Sequence, residues 1–163
     1  MATQTLKSPE TLMKEGFQLH TAGKNDEAVA VCKKILQKVT IGETAESAGL
    51  LWIKIAPDDA KGWNMLGQVL TNNNKPGDSA KALSIALRLD PNFIDAYMNQ
   101  AILQKFCGYL KPARDSYDHA LTLDPENKRL RTNRINVLLD MGLWDEAKID
   151  VDWLAEHYPN EAV

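Results

Sequence analysis

The chain has 163 residues, 44% of them hydrophobic and 25% charged, which is the length of one ordinary domain and the composition of a folded globular protein, excluding disordered and collagen-like classes. Its 22 acidic and 19 basic residues leave a net charge of -3, and with 7 basic and 8 acidic residues in 1–59 neither half carries the basic field that nucleic acid or an anionic membrane would require. No stretch approaches the ~18 uninterrupted apolar residues of a membrane span, and residues 1–10 are polar where a signal peptide is apolar, so a cytoplasmic location is expected.

Along the chain, a first helical pattern begins near Pro9 and runs through Leu12, Gly16, Leu19, Gly23, Ala28 and Ile35. The β-branched residues and glycine of 39–43 interrupt it. The stretch 45–57 then repeats the pattern of Ala28 to Leu36 at an offset of 17, with Ala45 on Ala28, Trp52 on Ile35 and Thr44 as a plausible N-cap. Residues 72–78 have the composition of a turn. In 94–127, apolar positions recur through Ala96, Tyr97, Ala101 and Leu103, a turn follows at Gly108, and a second amphipathic stretch runs from Pro112 to Leu123. The Asp-Pro pairs at 90–91 and 124–125 end helices, because the residue before proline is pushed out of the helical region. Asp145 and Glu146 suit a helix N-terminus. Cys32 and Cys107 both fall in apolar periodic segments, which favours two buried reduced thiols over a disulfide.

A fixed interval underlies these elements. Pro91, Pro125 and Pro159 are each 34 residues apart, and other positions keep the step: Trp63, Tyr97 and Arg131; Leu66, Gln100 and Arg134; Gly67, Ala101 and Ile135; Ser79, Ala113 and Ala147; Leu83, Tyr117 and Val151; Ala86, Ala120 and Leu154. Small residues recur where two helices must approach closely, and large ones where a gap must be filled.

The pattern resembles the tetratricopeptide repeat, whose period is 34 and whose signature residues stand at Trp63, Leu66, Gly67, Leu83, Ala86 and Pro91, and again at Tyr97, Ala101, Gly108, Ala113, Tyr117, Ala120 and Pro125. The last unit keeps Gly142, Ala147, Leu154 and Pro159 but carries Arg131, Arg134 and Ile135 where the family has aromatic, leucine and small residues. The resemblance implies an all-α solenoid of helix-turn-helix repeats, a single domain over 1–163 with repeat units 9–40, 60–93, 94–127 and 128–161, an irregular insert at 41–59 and an extra helix after the first repeat. That helix either adds a local layer, or competes with the first closing helix and allows the N-terminal hairpin to exchange with a neighbouring molecule, or is a loop.

No motif meets the mechanical needs of catalysis. Gly23-Lys24 has no glycine five residues upstream to complete a phosphate loop, there is no exposed-nucleophile turn, and His20, His119 and His157 fall at unrelated places in the repeat. Hence neither catalytic residues, metal ligands nor a cofactor are expected.

Stacked helix pairs generate a concave surface, and the resemblance assigns its lining to the first helix of each repeat. The implied partner-binding positions include Asn64, Gln68, Met98, Asn99, Ile102, Phe106, Arg129, Asn133 and Asn136. Gln68, Asn99, Asn133 and Asn136 form a potential amide track able to pair with a peptide backbone, or else a solvated polar face. Met98, Ile102 and Phe106 form an apolar strip at i, i+4 and i+8, either a seat for apolar ligand side chains or core. The carboxylate-clamping mode of the family places its residues at Asn64, Gln68, Asn99, Arg129 and Asn133, where only two match, so acidic chain termini are expected to bind weakly. The implied function is a non-catalytic adaptor or scaffold that binds a protein or peptide partner. Alternatives are an N-terminal targeting region of a larger enzyme, such as a glycosyltransferase or methyltransferase, and a self-assembling structural module. The apolar last helix, with Ile149, Val151, Trp153 and Leu154 and only four residues after Pro159, suggests association with another copy or a longer chain. Two substitutions express the reading: Trp63→Ala should destabilise the fold, and Asn99→Ala should leave stability nearly unchanged while weakening partner binding.

Overall fold

A computed structural model describes residues 7–159; the end of the last repeat unit, at 160–161, and the polar residues 1–6 lie outside them. Among the described residues there are nine α-helices and no strand: α1 (Pro9–Thr21), α2 (Asn25–Leu36), α3 (Glu43–Ile55), α4 (Ala60–Asn72), α5 (Pro76–Leu89), α6 (Ile94–Phe106), α7 (Leu110–Leu123), α8 (Lys128–Asp140) and α9 (Trp144–His157). The all-α fold of helical hairpins is the one the 34-residue period predicts. Two compact bodies divide the chain after Pro91.

Helix ends follow the local chemistry. Ser8 accepts the Thr11 N–H at the start of α1, and Asp59 and Asn127 do the same for Lys61 and Leu130 at α4 and α8. Asp90 and Asp124 leave the helical region ahead of their prolines and stop α5 and α7. Helix α3 departs from expectation. It begins one residue before Thr44, and its N-cap is Gly42, held at φ 90°, a left-handed conformation open to glycine.

In the N-terminal body, α3 is embedded, not appended. Leu12 and Met13 of α1, Cys32, Ile35 and Leu36 of α2, Ala45, Ala48, Leu51 and Trp52 of α3 and Val69 of α4 form one apolar core. Helix α3 packs on α1 and α2 and also on α4. Trp52 is the pivot: its Nε1–H donates to Asp59 Oδ2 at 3.0 Å, Lys33 Nζ lies 4.7 Å from the ring centroid, and the ring rests on Gly62, where a Cβ would come within 3.1 Å of it. The turn before α3 is tied down from the α4–α5 connection. Asn72 Nδ2 donates to Thr40 O at 2.9 Å, Asn73 Oδ1 accepts the Gly42 N–H at 2.6 Å, and Asn73 Nδ2 and Lys75 Nζ both reach the Glu46 carboxylate. The Lys75 and Asn73 hydrogen bonds hold that carboxyl below the usual range for glutamate. The structure thus has the insert as a packed layer. The hairpin α4–α5 closes where Leu83 meets Gly67, at which any Cβ would approach the Leu83 side chain to 2.7 Å.

In the C-terminal body, α6 pairs with α7 and α8 with α9, and α7 packs on α8. Met98, Ala101, Ala113, Tyr117, Ala120, Leu121, Leu130 and Val137 form the core, with Leu110 and Met141 against it. The last hairpin, where Arg131 and Arg134 depart from the repeat signature, is held by charge. Asp150 is fully buried and stands one period after Ser116. It receives Arg131 Nη1 at 2.7 Å and Arg134 Nε and Nη2 at 2.7 Å each. Arg134 Nη1 continues to Asp118 Oδ1 at 2.6 Å, while the Arg131 guanidinium donates to Pro125 O and lies 4.1 Å from the Trp153 ring. The carboxylates of Asp150 and Asp118 push the Arg134 pKa upward against its desolvation.

Two sequence expectations change. Cys32 is buried, with burial pushing its thiol up to about 11, but Cys107 caps α6 in an exposed position; neither forms a disulfide. Trp63 is only half-buried, its Nε1–H donating to Pro57 O at 2.7 Å, so the indole that fills the interior is Trp52.

Trp52→Ala is therefore expected to destabilise by about 3–5 kcal/mol, and Trp63→Ala by less, in urea denaturation. Asp150→Ala strands two mostly buried cations and should cost about 3–5 kcal/mol. Equal midpoints for wild type and Asp150→Ala would contradict the charge-held hairpin.

Candidate functional site

The C-terminal body contains a cleft of about 290 Å³, lined by Ile102, Lys105 and Phe106 of α6, Asn133 and Asn136 of α8, and Tyr117 of α7. Its two walls arise from helical spacing. Ile102 and Phe106 are four residues apart on one face of α6, and Arg129, Asn133 and Asn136 follow at i, i+4 and i+7 along α8. Arg131 and Arg134 occupy a different face of α8, turned to Asp150. The same helix therefore turns Arg131 and Arg134 into the hairpin and Asn133 and Asn136 to the cleft.

Ile102 and Phe106 are 40% and 56% exposed, an apolar wall left open to solvent. Lys105 joins the C-terminal ends of the walls: its Nζ lies 3.0 Å from Asp140 Oδ2 and donates to Asn136 O at 3.4 Å. Asn136 Nδ2 donates to Thr132 O at 3.2 Å, which orients its amide. Tyr117, 1% exposed, forms the floor. Burial pushes the phenol up to about 12, so it stays protonated and able to donate near neutral pH. The site combines an apolar wall with two neutral amides, an arrangement suited to binding.

Of the positions expected to meet a partner, Ile102, Phe106, Asn133 and Asn136 come together here. Arg129 is exposed at the start of α8, on the Asn133 face, and makes no ion pair among the described residues. Met98 and Asn99 are buried in α6. Asn64, buried, and Gln68, half-buried, belong to α4 in the N-terminal body. Tyr117 escaped the sequence reading because it sits on the second helix of its repeat, where the large residue reads as gap filling; the signal was the hydroxyl at a position held by Leu83 and Val151 in the neighbouring repeats.

Among the described residues, no helix is long and apolar enough to cross a membrane, and no group of three or more His, Cys, Asp and Glu could hold a metal ion.

Burial of Asn99, which has an interaction partner, reverses the expectation for its replacement. Asn99→Ala should cost about 1–3 kcal/mol, whereas Asn136→Ala should stay within about 0.5 kcal/mol of wild type. Thermal unfolding of both variants decides this, and similar losses would remove the distinction between the packed and cleft-facing amides.

Comparison with known proteins agrees with the geometry. Residues 94–127 match the tetratricopeptide repeat family. The chain is 35% identical over 71 residues to the peroxisomal targeting signal receptor of Kluyveromyces lactis, covering 44% of this chain and 12% of the receptor. It is 28% identical over 88 residues to that of Saccharomyces cerevisiae, covering 54% and 14%. The chain thus spans about an eighth of the length of these relatives. In structure it is similar to a thermophilic tetratricopeptide repeat protein of Thermus thermophilus, with TM-score 0.68, 17% identity and coverage of 94% and 93% of the two chains. MamA gives TM-score 0.62 at 18% identity, covering 95% and 97%. The fold is therefore that of tetratricopeptide repeat proteins, and residues 94–127 match the family's repeat.

Proposed function

We propose that this chain is a non-catalytic, cytoplasmic adaptor that captures a segment of a partner protein, with the α6–α8 cleft as the seat of one apolar side chain of that segment. The observation that carries the reading is the open wall of Ile102 and Phe106 in a cleft also lined by Asn133, Asn136 and the buried Tyr117. Removing two exposed apolar side chains from water favours an apolar ligand group. The amides supply donors and acceptors that an extended backbone can satisfy whatever its sequence. The cleft volume, about 290 Å³, fits a single large side chain with adjoining backbone and is too small for a folded domain. Similarity to part of a receptor for a targeting signal supports a peptide as the ligand class. Arg129, exposed on the Asn133 face, favours ligands with an acidic group beside the apolar anchor.

A random-peptide display selection on the whole chain tests this. Enriched peptides should share an apolar anchor, and their binding should weaken about tenfold or more in Ile102→Asp, which places a charge in the seat, and also in the combined Asn133→Ala, Asn136→Ala variant. Selection that enriches nothing, or peptides indifferent to both variants, would refute the assignment.

A further inference from the structure

Helices α1 and α3 occupy equivalent places in the N-terminal body. Gly16 of α1 lies against Val31 of α2, where a Cβ would come within 3.4 Å, and Gly49 of α3 lies against Leu66 of α4, within 3.0 Å. Each glycine marks the closure of its helix on the next, as Gly67 does against Leu83 of α5. The two helices also meet directly, since a Cβ on Gly16 would stand 3.5 Å from the Leu51 side chain. Phe17 and Leu50 flank that meeting point, and both are 49% exposed. Ile102 of the α6–α8 cleft has the same register, one residue after Ala101, which stands one period after Gly67. The exposure of Leu50 does not arise at an end of the array: α3 is packed on α1, α2 and α4 and still leaves this side chain open.

We propose that the α1–α3 surface around Phe17 and Leu50 is a second binding site, which takes an extended acidic segment of another polypeptide through one apolar side chain. The apolar anchor follows from the two half-exposed side chains. The acidic character follows from the charges within one turn on the same face. Lys14 precedes Phe17 by three positions and Lys54 follows Leu50 by four; both are exposed and form no ion pair among the described residues. Glu46, four positions before Leu50, is already held by Lys75 and Asn73. The surface is therefore locally positive in a chain of net charge -3. Residues 1–6 contain no acidic residue and 160–163 contain only Glu161, so neither supplies the complement. The site lies in the N-terminal body and does not depend on the α6–α8 cleft.

The probe is a fluorescein-labelled peptide carrying one tryptophan with glutamates two positions to either side and glycine and serine elsewhere, titrated by anisotropy into the whole chain. Saturable binding is expected, weakened by added salt. It should fall about tenfold or more in Leu50→Asp, which sets a carboxylate against the apolar anchor, and in the combined Lys14→Glu, Lys54→Glu variant. A parallel titration of Ile102→Asp, which disables the cleft of the other body, should give the wild-type curve. Far-UV circular dichroism checks that Leu50→Asp keeps its helices; if it does not, the lysine variant decides. Absence of saturable binding, equal binding of a peptide with lysine in place of glutamate, or indifference to the α1–α3 substitutions would each overturn the proposal. So would loss of binding in Ile102→Asp, which places the peptide in the α6–α8 cleft, or a dimer of the chain that Leu50→Asp converts to monomer, which places a second copy on this surface.

Discussion

Leu83 lies against Gly67 so closely that any β-carbon there would collide with it, and from this contact the geometry of the α4–α5 hairpin follows. Two helices approach to this distance only where one of them lacks a side chain, and the facing residue must then be large enough to fill the groove. One period later the small residues Ala101, Ala113 and Ala120, all fully buried, surround Tyr117 in the C-terminal body, a looser version of the same fit. Close hairpins set the directions of the helix faces. Faces so fixed determine which side chains reach core and which reach solvent.

The insert at 41–59 shows how a repeat array absorbs an irregularity. Residues added to a repeat would ordinarily leave a loop with unsatisfied backbone groups. Here α3 brings its own indole into the core between α2 and α4, and Asn72 and Asn73 satisfy the Thr40 and Gly42 backbone from a turn that the sequence marks only as polar. A run that reads as turn composition is thus a clamp. The Glu46–Lys75 pair beside it, with the carboxyl one-fifth exposed, strengthens the same joint.

The C-terminal body uses two means of cohesion. Its first hairpin is apolar. Its second concentrates two guanidinium groups on a carboxylate with no solvent exposure, and the geometry is favourable enough to offset desolvation because every oxygen of Asp150 receives a short, charge-assisted bond. This division sorts the faces of α8. Arg131 and Arg134, turned into the hairpin, leave Asn133 and Asn136 to the cleft, whose ion pair among the described residues, Lys105–Asp140, lies at its end.

The period, the small-residue positions and the Asp-Pro stops were enough to read helix order and repeat fold, because each depends on local backbone preference or on spacing along one helix. The apolar pair Ile102 and Phe106 and the amides Asn133 and Asn136 were legible for the same reason. What spacing could not decide was which side of a helix its neighbours cover. Asn99 and Met98 share the helix of Ile102 yet are buried, Cys107 shares the pattern of Cys32 yet is exposed, and Trp52 took the interior place that the repeat signature assigns to Trp63. Tyr117 on the cleft floor, and Asp150 as the anchor of two arginines, arise between helices far apart in sequence. Periodicity along a chain assigns a residue to a face; burial and pairing belong to the contact between faces, and only packing in three dimensions sets that contact.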